Sequence, residues 1–219
     1  MDWSSYSLAD FLMFGPDVFL RLYVRTNQDI WPWPLLAVVL SVVLAWLLTQ
    51  RQAWAKRAVL ALLGVAWAWS GAVFMLQYYG PINSPVVYFG WGFIAQGALL
   101  GLIAPTWRPM SYRRIRGWDW RIALVWLATV AALPWLVVME SGEWRALALF
   151  AITPDLTVLA SLPCLLMLPR KLRGFLLFLP ALWAIFSALT LWTLGMTTLM
   201  IIPLAALVLM PFAIFLNRR

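Results

Sequence analysis

The chain has 219 residues, of which 64% are hydrophobic and only 11% charged, against about 25% charged in an ordinary soluble domain. It holds no histidine and a single cysteine, Cys164, which excludes an intramolecular disulfide and leaves no histidine-based zinc or haem site. The net charge of +8 falls in short basic runs between apolar stretches, the pattern that orients a membrane protein, so the bilayer is the expected partner and nucleic acid is not.

These features predict one all-α integral membrane domain, a seven-transmembrane-helix bundle with N-terminal interfacial amphipathic helices. Residues 1–33 form the interfacial segment. Its "SLADFLMFGPDVFLRLYVRTNQ" stretch places Asp10, Asp17, Arg21 and Arg25 among phenylalanines and leucines, with Gly15-Pro16 as a break. It reads as two short helices lying along the interface, either a lid or partner-docking surface or a plain cap. With no basic leader and no small-residue cleavage site, a removable signal peptide is not expected.

Residues 34–219 hold the bundle. A crossing needs about 20 apolar residues, and seven runs qualify: Pro34 to Leu48, Ala58 to Tyr79, Pro85 to Ala104, Ile122 to Met139, Ala146 to Leu168, Phe175 to Leu194 and Thr197 to Leu216. The last two are divided only by Gly195-Met196, a tight hairpin. Alternate loops then collect thirteen of the sixteen basic residues, at Arg51, Lys56, Arg57, Arg108, Arg113, Arg114, Arg116, Arg121, Arg170, Lys171, Arg173, Arg218 and Arg219; Arg21, Arg25 and Arg145 fall on the other side. The positive-inside rule predicts an outside N-terminus and a cytoplasmic C-terminus in a bacterial inner membrane.

Several features within the spans bear on function. Tryptophans 31, 33, 54, 107, 118, 120 and 144 fall at span ends as an aromatic belt. Trp67, Trp69, Trp126, Trp135, Trp183 and Trp192 lie deeper, as bundle packing or as the lining of a ligand cavity. In the third span Gly97 and Gly101 make a small-xxx-small helix-packing pair, with Gln96 beside them able to hydrogen-bond across. The loop "QYYGPINSP" is polar and uncharged around Asn83, either the mouth of a solute path or a Gly-Pro turn with interfacial tyrosines. No nucleophile–base or paired-carboxylate pattern occurs within a span, so an enzyme, a metal site or a cofactor is not expected.

The sharpest feature is "FAITPDLTVLASLPC", which sets Asp155 beside Pro154 inside an apolar run. A carboxylate there is costly unless paired, protonated or facing water. Pro154 has no N–H, so the fifth span is expected to kink or unwind beside Asp155. A carboxylate that is often protonated, facing the bundle interior and bonded to Thr153, Thr157 or Gln96, follows. These residues, with Asn83, are the candidate solute- or ion-binding set.

On "NQDIWP", "INSPVVYFG" and "ITPDLT" the chain resembles a bacterial family of polytopic membrane proteins known as domain of unknown function 6064. The likeness rests on Asn27, Ile30, Trp31, Pro32, Ile82, Asn83, Phe89, Gly90, Thr153, Pro154 and Thr157. Members commonly follow the Thr-Pro with Cys-Pro; Asp155-Leu156 stands there in this chain, which argues against a thiol or soft-metal role at the site. The resemblance implies an inner-membrane bundle and no reaction. Two functions are open: a small-solute permease or channel with a polar midplane site on a Pro-broken helix, or a non-catalytic subunit or assembly factor of a larger membrane complex. A monomer or homo-oligomer fits the permease, and a stoichiometric membrane-complex partner fits the subunit.

Overall fold

A computed structural model describes residues 14–106 and 119–215 of the chain. All regular elements among them are helical. The first of the two expected N-terminal amphipathic helices falls mostly outside the described residues. The second is α1 (Pro16–Asp29), with Pro16 at its first position. It meets α2 (Trp33–Thr49) at 91°. Its apolar side does more than rest on a surface: Phe19, Leu22, Tyr23 and Thr26 are buried in the bundle.

Helix α3 (Ala53–Trp69) continues without a break as a π-helix over Ser70–Tyr79. There the backbone bonds i to i+5, as in Gly80 N–H to Met75 O at 2.7 Å. Residues five apart therefore share a face, which turns Phe74 and Tyr79 inward together with ring centroids 6.2 Å apart. Helix α4 (Ser84–Thr106) follows after a short turn. Then come α5 (Asp119–Ala132) with α6 (Pro134–Ser141), α7 (Pro154–Leu165), α8 (Arg170–Leu176) with α9 (Phe178–Thr193), and α10 (Ile201–Phe215).

Among the described residues, four helical stretches are long and apolar enough to cross a membrane: Ala53–Tyr79, Ser84–Thr106, Trp120–Ser141 and Arg170–Thr193. The bent α1–α2 pair makes a fifth if counted as one. The runs expected as the fifth and seventh spans contain α7 and α10, of 12 and 15 residues, each short of the roughly 20 a full crossing needs.

The α3–α4 pair packs most extensively, and its glycines explain the closeness. A Cβ on Gly97 would lie 2.5 Å from Gly64 O, and one on Gly71 would lie 2.6 Å from Gly90 O. Gly97 thus packs backbone to backbone as a small residue should. A Cβ on Gly101 would meet nothing within 4 Å; the facing residue that needs to be small is Gly64.

Helix α7 occupies the centre. It touches α3, the π segment, α5, α9 and α10, and every residue in it except Pro163 is buried. Basic side chains close helix ends around it. Arg173, fully buried, donates to the carbonyls of Leu166 and Ile214, just past α7 and at the end of α10. Buried Lys56 donates to Leu48 O at the end of α2, 2.7 Å away. Both place a cation where helix carbonyls lack partners.

Candidate functional site

The site grows from the start of α7. Pro154 takes the first helical position, where a missing N–H costs nothing, and Asp155 follows in the first turn, where the helix dipole favours a carboxylate. This corrects the expectation of a long fifth helix broken at Pro154. The proline starts a short helix, and residues 148–153 before it are buried and non-helical.

Buried irregular backbone must satisfy its own polar groups, and the threonines do this. The N–H groups of Ile152 and Thr153 both donate to Leu149 O, at 3.1 and 2.9 Å. Ala151 is left-handed at φ 67°, and its N–H donates to Thr157 Oγ1 at 3.0 Å. The Thr157 hydroxyl in turn donates to Thr153 O at 2.7 Å, while Thr153 Oγ1 turns back to Leu149 O. Both threonines therefore hold the turn. Neither is hydrogen-bonded to Asp155, contrary to expectation.

The carboxylate finds its partner on α9: Trp183 Nε1 donates to Asp155 Oδ1 at 2.8 Å. Ser187, one turn further along α9, is within reach of the same carboxylate. Two buried phenols, Tyr23 of α1 and Tyr79 of the π segment, lie within electrostatic range of it. Asn83 Nδ2 donates to Tyr79 Oη at 3.2 Å, which brings Asn83 into the same polar cluster. Gln96 stands apart, since its amide donates to Leu176 O at 2.7 Å and ties α4 to the α8–α9 junction.

Trp183 is one of three buried indoles that grip α7. Trp67 Nε1 donates to Ser161 Oγ at 2.7 Å, and Trp126 Nε1 donates to Ala160 O at 2.8 Å. Of the other deep tryptophans, Trp135 and Trp192 are more than half exposed and line no interior.

Helix α1 closes this end of the bundle. Phe19 packs edge-on against both Tyr23 and Tyr79, and Asn27 Nδ2 donates to Arg145 O and Leu147 O at 2.7 and 2.9 Å. Asn27 thus fastens α1 to the chain leading into the 148–153 turn. Beside that junction lies a cavity of about 490 Å³ walled by Asn27, Gln28, Trp31, Trp144, Arg145 and Leu149, among others. The cavity does not reach Asp155.

Residues that the sequence did not single out for the site are Tyr23 and Ser187, while Trp183 stood out only as a deep indole. A hydroxyl in the middle of an apolar run, as at Ser187 and Ser161, was the available signal.

The architecture is that of an all-helical protein with several long apolar helices, compatible with a membrane protein, and with a short carboxylate-bearing helix at its centre. Residues 16–219 match a family of unknown function, DUF6064, and the chain belongs to that family. No curated protein and no solved structure matches the chain.

Proposed function

We propose that the protein is a seven-crossing inner-membrane permease for a small solute, with its N-terminus outside and C-terminus cytoplasmic, in which Asp155 is the proton- or cation-linked site. One observation carries this reading: a buried carboxylate opens a short interior helix directly after six buried non-helical residues, the kind of discontinuous element that transporters use for ion and solute sites. Non-helical backbone at membrane depth is tolerated only where protein or a water-lined path surrounds it. The irregular turn also supplies the length that α7 lacks for a crossing. Basic loops on alternate sides support the orientation.

The hydroxyls of Thr153, Thr157 and Ser161 all close on backbone of the same segment, at 3.1, 2.7 and 2.6 Å. That closure favours the second reading, a non-transporting subunit or assembly factor of a membrane complex, in which Asp155 is interhelical glue. Complementation of a deletion strain over a panel of solutes separates the two. The permease reading expects Asp155→Asn to reach the membrane at normal levels and fail to restore uptake. A fully active Asp155→Asn beside an inactive Asp155→Leu sinks it.

A further inference from the structure

A second concavity lies on the outer surface of the bundle, between α5, α7 and α10, with a volume of about 340 Å³. Its floor is made by small or narrow residues, Ala160, Pro163 and Ala213, between ridges formed by Val125, Leu209 and Phe212. The ridges are open to the surroundings, with Val125 62% and Phe212 60% exposed.

The walls offer an occupant almost nothing polar. The Trp126 N–H is already spent on Ala160 O, and the Thr129 hydroxyl on Val125 O. Arg121 is the charged residue of the lining, at the beginning of α5. Its guanidinium lies 5.5 Å over the Trp120 ring, the arrangement of a cation held at a membrane–water boundary. Arg173 reaches Leu166, another lining residue, so a second cation stands at the end of α7. From Arg121 to Thr129 the groove follows eight residues of α5, about 12 Å at the helical rise. That is close to one leaflet of a hydrocarbon layer about 30 Å thick.

We propose that this groove seats one acyl chain of an anionic phospholipid, its phosphate held by Arg121. The inference rests on the membrane reading above and is independent of what Asp155 does. The shape admits a flexible chain, the lining matches hydrocarbon, and the single cationic end selects the sign of the headgroup. The groove also borders Ala160, the residue that Trp126 grips, so a seated lipid packs directly against the interior helix.

The test uses the full-length protein purified in detergent and titrated with phosphatidylglycerol or phosphatidylcholine. Retained lipid is read by native mass spectrometry. Wild type is expected to favour phosphatidylglycerol, and Arg121→Gln to reduce that preference about fivefold, as for one surface cation acting on an anionic lipid. Val125→Trp, which fills the groove from an exposed position and spares the core, is expected to abolish retention of both lipids. Val65→Trp, on an exposed position of α3, is expected to change neither. Equal binding of the two lipids by wild type, or unaltered retention in Val125→Trp, overturns the proposal. Extraction of the protein from membranes by carbonate would instead defeat the membrane reading itself.

Discussion

Asp155 on α7 and Trp183 on α9 are joined by a hydrogen bond of 2.8 Å from the indole nitrogen to the carboxylate, with both side chains almost wholly buried. The bond reaches the first turn of α7. Trp183 is also fixed by its own neighbours, Phe89 and Phe93, which meet it edge-on at 5.3 and 5.8 Å. Trp183→Phe keeps most of this packing and removes the donor. It is expected to lower unfolding free energy by about 1–3 kcal/mol, the cost of leaving a buried polar group short of a partner. A double-mutant cycle with Asp155→Leu, which removes the acceptor, checks it; strictly additive losses would show that the two side chains do not interact.

Gly97 and Gly101 are expected to behave differently although they share one motif. An alanine methyl at Gly97 meets the backbone of Gly64 at 2.5 Å, so Gly97→Ala must push α3 and α4 apart, at about 1–3 kcal/mol. Gly101→Ala meets nothing within 4 Å and is expected to be neutral or slightly stabilising. Thermal denaturation in detergent compares them, and equal losses would contradict the close packing at Gly64.

Thr157 is expected to matter through the backbone of the turn. Thr157→Val keeps the shape of the side chain but leaves the Ala151 N–H, held left-handed at φ 67°, without its acceptor. The loss is expected at about 1–3 kcal/mol. Thr157→Ser retains the hydroxyl and is expected to recover most of it. A serine variant as unstable as the valine one would mean that the hydroxyl does not hold the turn.

Asn27 is expected to control how firmly α1 is seated. Asn27→Ala removes both hydrogen bonds to the chain at Arg145 and Leu147. Hydrogen exchange in Pro16–Asp29 should then accelerate while α4 and α9 keep their protection. Unchanged exchange in α1 would show that its aromatic face alone holds it.

Much of the architecture was legible because hydropathy and helix length are local properties. The runs around α3, α4 and α9 are apolar for long enough to be found without knowing their neighbours. The start of α7 was misread because a proline at the first position of a helix and a proline in its middle look alike when both sides are apolar. Thr153-Pro154-Asp155 did contain the distinction, since an uncharged hydroxyl residue, a proline and an acid in that order are a helix start. The partner of Asp155 was not legible: Trp183 is 28 residues away on another helix, and several indoles competed for the role. Gly64 escaped notice for a related reason, as a lone glycine has no pattern until the facing helix is in place.

A permease site at Asp155 must be reached by water and solute, and thiol accessibility measures this without knowing the solute. In a Cys164→Ala background, Asp155→Cys in intact cells is treated with a small membrane-impermeant cationic thiosulfonate, and the extent of labelling is read by mass. Modification of the cysteine at position 155 is expected from the outer side, at a rate well above that of native Cys164, which is fully buried. A cysteine at 155 that stays unmodified until the protein is denatured would contradict the permease reading.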